Sequence, residues 1–201
     1  MVTAVIFDVA NVIADWEPSR PLRGVIEDAR IDEFLASRHF WQTINADADA
    51  GATALDVIAR VDAELPAFAD IVRTYVDRFP MTVSGPVPGT SEVIDELLVA
   101  GVPVYGLSNW WAENFSVPRA ASPVIDRLAD VVVSGEVGLA KPDPAIYALA
   151  VDRFGLEAGA TLFVDDSLTN VESAARFGLR THHFTAADKL RGDLVGYGLL
   201  G

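Results

Sequence analysis

Val2-Thr3-Ala4-Val5-Ile6-Phe7-Asp8-Val9-Ala10-Asn11-Val12 stands near the start of the chain and sets its architecture. From Val2 to Phe7 it is apolar and rich in β-branched residues, with one Thr, and it ends on a lone carboxylate. A continuous apolar run of this length predicts a strand buried on both faces, as in a parallel sheet. Asp8 then falls at the strand's carboxyl end, the edge where open α/β sheets hold their ligands. A carboxylate there is paired, metal-bound or catalytic, because leaving it dry and alone costs several kcal/mol. Capping the following turn is the other role open to it.

On the C-terminal side, Ile13-Ala14-Asp15-Trp16-Glu17-Pro18 reads as a short extended turn, and Pro18 and Pro21 resist an immediate helix. From about Leu22 to Pro80 the pattern is helical, with no convincing strand. Ile26, Ile31, Phe34 and Leu35 form one apolar face. Leu55, Ile58 and Val61 form a second, and Phe68, Ile71, Val72, Tyr75, Val76 and Phe79 a third. Met81 to Gly89, punctuated by Gly85, Pro86 and Pro88, reads as a hinge.

Beyond the hinge, helix and strand alternate. Thr90 or Ser91 caps a helix with Val93, Leu97 and Ala100 on one face, stopped by Gly101. Val102–Leu107 is a second strand ending at Ser108-Asn109, and Asp130–Val133 a third. Asp143-Pro144 opens a helix that Gly155 closes. Thr161–Val164 is a fourth strand ending at Asp165-Asp166. A helix with Ala174 and Phe177 inward ends at Gly178, Arg180–Phe184 is a fifth strand, and the tail is loosely patterned. This alternation predicts an α/β fold with a parallel sheet and right-handed crossovers. The helical block interrupts it just after the first strand, so we expect a core of residues 1–14 and 86–201 with a cap at 15–85.

The 201 residues, half of them hydrophobic, suit one large domain or a core with an insert. With 29 acids against 15 bases, the net charge of −14 argues against nucleic acid, which needs clustered Lys and Arg. There is no cysteine, so no disulfide framework and no thiol chemistry. No run of 18 apolar residues and no basic leader occurs, and we expect a cytoplasmic protein without membrane attachment.

Three strand ends carry polar signatures, Asp8, Ser108-Asn109 and Asp165-Asp166, and a parallel sheet brings them to one side. Lys141, just before a helix, can reach the same edge. Two or three acids would hold a hard divalent cation such as Mg²⁺. A hydroxyl, loop amides and one ammonium would hold an anion beside it. That set suits phosphoryl transfer to Asp8 and hydrolysis of the resulting aspartyl-phosphate.

In four stretches the chain resembles the haloacid dehalogenase-like (HAD) hydrolase superfamily, in the branch with a helical cap after the first strand. These are Phe7-Asp8-Val9-Ala10-Asn11-Val12, Leu107-Ser108-Asn109, Gly138-Leu139-Ala140-Lys141-Pro142-Asp143-Pro144 and Phe163-Val164-Asp165-Asp166-Ser167-Leu168-Thr169-Asn170. The resemblance implies a Rossmann-like sheet whose strands, numbered along the chain, lie in the order 5-4-1-2-3. It implies that Asp8 is the nucleophile and a Mg²⁺ ligand, with the backbone carbonyl of Ala10 and with Asp166 and Asp165 completing the metal site. Ser108 and the amide of Asn109 would hold the phosphoryl group, Lys141 would neutralise charge on Asp8 and phosphate, and Asn170 would brace the metal loop. The expected partner is a small phosphorylated metabolite, a sugar phosphate being one class, and the expected assembly a monomer or homodimer.

One position departs from the family pattern. Its usual second aspartate, two residues after the nucleophile, protonates the leaving group, and here that position is Ala10. Such general acid–base help is worth about 10²–10⁴-fold in rate. A cap residue such as His39 is a candidate replacement. The missing acid also admits two rivals: a metal-independent 2-haloacid dehalogenase and a weakly active phosphate-binding regulator. Two adjacent acids at Asp165-Asp166 disfavour the dehalogenase, since without a cation they would repel each other beside Asp8. Arg20, His39, Trp41, Asn45, Trp110 and Trp111 are candidates for substrate recognition. His182 and His183 read as structural, away from the motif ends.

Overall fold

The computed structural model describes residues 1–201. Strand β1 (Ala4–Phe7) is buried along its whole length. It is flanked by β4 (Val104–Ser108) and β6 (Thr161–Asp165), with β5 (Val131–Val133) and β7 (Arg180–His183) at the edges. The order is β5-β4-β1-β6-β7, with every pairing parallel. Counting these five strands along the chain, this is the expected 5-4-1-2-3 arrangement. The predicted strands end within two residues of those observed. Side chains alternate across the sheet as a strand requires: Val5 and Phe7 join one apolar cluster, while Ile6 joins another with Phe163, Tyr147 and Ile146.

Between β1 and the second half lies the helical insertion: α1 (Asp28–Leu35), α2 (Asn45–Asp49), α3 (Ala54–Glu64) and α4 (Ala69–Asp77), with a π-helical stretch at Phe40–Ile44. Two segments read from the sequence as a turn and a hinge instead pair as an antiparallel ribbon, β2 (Ala14–Trp16) with β3 (Val83–Pro86). Each is too short to show a strand period, and the partner lies some 70 residues away. Arg20 clamps this neck. Its guanidinium donates to the carbonyls of Asp15 (2.8 Å) and Thr82 (2.9 Å) and pairs with the Asp15 carboxylate at 2.6 Å. It is therefore occupied in holding the insertion rather than free for substrate.

The first and third apolar faces of the insertion are buried at Ile31, Phe34, Phe68, Ile71, Val72, Tyr75 and Phe79. The second is shifted: Val57 and Val61, four residues apart, face inward, while Leu55 is exposed. The same apolar cluster runs without a break from Val5 and Phe7 to Phe34 and Ile71, so packing fixes the insertion against the sheet.

The second half continues with α5 (Thr90–Val99), α6 (Ser116–Ala121), α7 (Ser134–Val137), α8 (Pro144–Phe154), α9 (Leu168–Phe177) and α10 (Ala187–Gly196). Asp143 caps α8 by accepting from Ala145 N–H at 2.8 Å, with Pro144 at the first position and Gly155 at the close. At α5 the cap is Gly89, not Thr90 or Ser91, and Ala100 is exposed. The tail, loosely patterned in sequence, forms α10 and buries Leu190 and Leu194. No helix is long and apolar enough to cross a membrane.

Candidate active site

Four polar groups converge at the carboxyl edge of the sheet. Asp8 extends the ladder through its N–H to Val164 O (2.8 Å), and its Oδ1 accepts from Val9 N–H at 2.6 Å. The chain then turns sharply at Asn11, a non-glycine residue with φ of 58°, whose Oδ1 accepts from Trp16 N–H at 3.1 Å. Asparagine tolerates this left-handed conformation better than most residues. Asp165, at the end of the neighbouring β6, is fully buried. Its carboxylate accepts from Ser167 N–H (2.8 Å) and from Asn170 Nδ2 (3.1 Å). Asn170 therefore orients Asp165.

Lys141 joins the two carboxylates. Its buried ammonium lies 2.9 Å from Asp8 Oδ1 and 2.7 Å from Asp165 Oδ2. Asn109 fixes the lysine's backbone: its Nδ2 donates to Lys141 O and its Oδ1 accepts from Lys141 N–H, both at 2.8 Å. The Asn109 side chain is thus committed to positioning Lys141, which leaves only its backbone amide to serve beside Ser108 at the end of β4. That loop is held close to the next crossover at Gly135. A Cβ there would lie 2.6 Å from Ala112 N and 2.7 Å from Trp110 O, so the approach requires glycine.

Electrostatics bind these groups into a unit. Burial pushes the Asp8 carboxyl well above the usual carboxylate range, with Lys141 pulling it down and Asp165 and Asp166 adding to the rise. Burial opposes the Lys141 charge, but Asp165 and Asp8 outweigh it and hold the ammonium above its ordinary value. Burial, then Asp165, raises half-buried Asp166. Carboxylate oxygens of Asp8, Asp165 and Asp166 lie within 4.8 Å of one another. Around an octahedral Mg²⁺ ion oxygens on opposite sides stand about 4.2 Å apart and neighbouring ones about 3 Å, so the three carboxylates would draw in around a bound ion. Three carboxylates facing one ammonium form an excess of hard anionic oxygen, the donor set that Mg²⁺ takes.

Next to them Ser108 Oγ is completely buried and has no hydrogen-bond partner. An orphaned buried hydroxyl costs about 1–3 kcal/mol, which points to a ligand that completes it. Ser108→Ala is accordingly expected to leave the ligand-free melting temperature unchanged or slightly higher. The same variant should weaken binding of inorganic phosphate about 10–100-fold, the worth of one hydrogen bond to a charged group. Differential scanning fluorimetry and calorimetric titration read the two effects.

Beside Ala10 opens a cavity of about 180 Å³. Trp16, Tyr75, Phe79, Trp110 and Trp111 form its aromatic lining, and Asn45, Asp49 and Asn109 its polar one. Of the residues singled out for substrate recognition, Asn45, Trp110 and Trp111 line this cavity. Trp41 packs against Phe34, Phe40 and Tyr75 and donates its Nε1–H to Phe34 O at 3.3 Å. His39 is exposed and pairs with Glu64 at 2.7 Å on the outer surface of the insertion, so it is not the missing acid. His182 pairs with Asp193 at 2.7 Å, a structural contact. His183 corrects the expectation that both histidines lie away from the motifs: its Nε2 meets Asp166 O at 3.0 Å and steadies the Asp165-Asp166 loop. Trp16, Tyr75, Phe79 and Asp49 carry no mark in the sequence that sets them apart as cavity residues. The four-residue spacing of Asn45 and Asp49 is the one local hint that they share a helix face.

The haloacid dehalogenase-like hydrolase family model matches residues 2–178. The chain belongs to that family. It is 24% identical over 193 residues to N-acetylmuramic acid 6-phosphate phosphatase of Pseudomonas aeruginosa, covering 89% of this chain and 79% of that one. It is 34% identical over 95 residues to (S)-2-haloacid dehalogenase 4A of Burkholderia cepacia, covering 47% and 41%. In fold it is similar to a HAD family enzyme of Bacteroides thetaiotaomicron solved with magnesium and inorganic phosphate. The TM-score is 0.71 at 19% identity, over 92% of this chain and 96% of that one. The HAD assignment accounts for the parallel sheet, the inserted helices and the acidic cluster at its edge.

Proposed function

We propose that this HAD hydrolase is a Mg²⁺-dependent phosphatase that removes phosphate from a small metabolite through an aspartyl-phosphate on Asp8. The observation that carries the reading is the buried Lys141 ammonium between Asp8 and Asp165, with Asp166 in reach and the unpartnered Ser108 hydroxyl alongside. Asp8, Asp165, Asp166 and the Ala10 carbonyl would hold Mg²⁺, which supplies charge neutralisation at the phosphoryl oxygens. Ser108 and the Asn109 amide would grip the phosphoryl group, and Lys141 would hold Asp8 ionised for attack and offset the phosphate's charge. Residues 1–14 and 86–201 form the catalytic core in this reading, and 15–85 the cap that selects the leaving group. The cavity's volume and aromatic walls suit a small one, and sugar rings, whose C–H faces stack on indoles, are among the candidates. A cytoplasmic setting belongs to the same reading.

The dehalogenase reading draws on the missing acid at Ala10 and the partial likeness to (S)-2-haloacid dehalogenase 4A. Against it stand three neighbouring carboxylates with the single Lys141 ammonium between two of them, an excess of negative charge that a metal-free reaction would leave in place. A screen of phosphate monoesters and L-2-haloacids, each with Mg²⁺ and with EDTA, separates the two. Phosphate release that needs Mg²⁺ is the expected result. Halide release in EDTA would replace the phosphatase with the dehalogenase.

A further inference from the structure

The place left empty by the Ala10 methyl faces a cavity that has a carboxyl group of its own. Asp49, the last residue of α2, lines the same cavity as Ala10 and Asn109. The segment just after it is pressed against the core crossover leading to Lys141. A Cβ at Gly51 would lie 3.1 Å from Gly135 O, and one at Gly138 would lie 3.8 Å from Ala50 O. Asp49 is held in place by a relay. Trp111 Nε1–H donates to Asn45 Oδ1 at 3.2 Å, and Asn45 Nδ2 donates to Asp49 Oδ2 at 3.2 Å. Asn45 is the side chain's one hydrogen-bond partner, so Oδ1 remains available to a molecule in the cavity. Elsewhere in the insertion Asp47 pairs with Arg60, Asp62 with Arg73 and Asp70 with Arg30, each neutralised by an arginine at the surface. Asp49 has no such arginine.

We propose that Asp49 is the general acid–base of this hydrolase, working from the cap in place of the side chain that Ala10 lacks. The inference rests on the phosphatase reading. In the first half-reaction a carboxylate oxygen of Asp8 attacks phosphorus, and the bond from phosphorus to the leaving oxygen breaks with its electron pair. The Asp49 carboxyl proton passes to that oxygen, so the products are an alcohol, aspartyl-phosphate and ionised Asp49. In the second, water attacks phosphorus while Asp49 accepts one of its protons. The bond from phosphorus to Asp8 breaks, regenerating the Asp8 carboxylate, inorganic phosphate and protonated Asp49.

The surroundings suit this cycle. Burial among aromatic walls pushes the Asp49 carboxyl up to about 7, with Lys141 pulling the other way. A proton donor is most effective when its affinity lies near the working pH. The ionisable groups that face it are Lys141, from the crossover before α8, and Tyr75 of α4. Burial and the Asp49 charge hold the Tyr75 phenol far above its usual value, so it stays neutral and does not compete.

The test compares benzyl phosphate, whose alkoxide leaves poorly, with 4-nitrophenyl phosphate, whose phenolate leaves without a proton. In Asp49→Asn, kcat/KM for benzyl phosphate is expected to fall about 10²–10⁴-fold while the nitrophenyl ester changes less than about tenfold. In the wild type, kcat/KM for benzyl phosphate should decline above roughly pH 7 as the acid ionises. That limb should be absent for the nitrophenyl ester, a comparison that needs no substitution. Equal losses on both esters, or no alkaline limb, would overturn the role of Asp49 while leaving the phosphatase intact. If the wild type releases phosphate from neither ester in Mg²⁺, the phosphatase reading itself falls and takes this inference with it.

Discussion

Replacing Asp8 with Asn is expected to abolish turnover, lowering phosphate release in Mg²⁺ by at least about 10⁴-fold, because the proposed mechanism forms its covalent intermediate on that carboxylate. Stability should move the other way. The Asp8 carboxyl is buried beside Asp165 and Asp166, and its affinity for protons is raised accordingly. An amide of the same shape keeps the acceptor for Val9 N–H and for the Lys141 ammonium. It removes one of three crowded negative charges. The metal-free Asp8→Asn protein should therefore melt at the wild-type temperature or above. It should still bind inorganic phosphate, since Ser108 and Lys141 are untouched. Residual activity above about 1% of wild type, measured by phosphate release, would remove Asp8 from the nucleophile's role.

Lys141→Met carries the largest expected effect on stability. The substitution keeps the volume and deletes the ammonium that now neutralises Asp8 and Asp165 at 2.9 and 2.7 Å. Breaking a buried ion pair by removing one partner costs about 3–5 kcal/mol, which for a domain of this size lowers the melting temperature by roughly 10 °C. The pH dependence has a definite sign. In the folded state Asp8 binds protons more tightly than in the unfolded chain. Its contribution is therefore favourable at low pH and is lost as pH rises. Without Lys141, the chief influence pulling Asp8 down, that loss should steepen. Magnesium should recover part of the melting temperature by supplying positive charge to the same carboxylates. A Lys141→Met protein as stable as wild type at pH 8 without metal would show that the three acids are not mutually strained. Activity should also fall steeply, since the ammonium proposed to offset charge on Asp8 and on the phosphoryl group would be gone while Mg²⁺ supplies only part of that charge.

The core is written in the amino-acid order. An apolar run closed by Asp8 reads as a buried strand because both its faces need hydrophobic cover, and alternation with helices makes the sheet parallel. Parallel strands bring their carboxyl ends to one edge, so Asp8, Ser108 and Asp165-Asp166 gather there without coordinates. Lys141 joins them through its match to the family pattern, and its ammonium pairs with two of those carboxylates. The insertion is legible as helical, but not in its consequences. Trp16 and Val83 meet in a ribbon whose halves are 67 residues apart, and no local period announces such a pairing. Arg20 and His39 stand out as polar residues in the cap, yet each is paired, one at the neck and one at the surface. Asp49 is one of 29 acids, and its spacing from Asn45 says only that the two share a helix face, not what that face meets. Only long-range packing puts this carboxyl, unlike its arginine-paired neighbours, among aromatic side chains next to Ala10. Periodicity encodes which face of an element is buried; what that face meets depends on contacts between residues far apart in the chain.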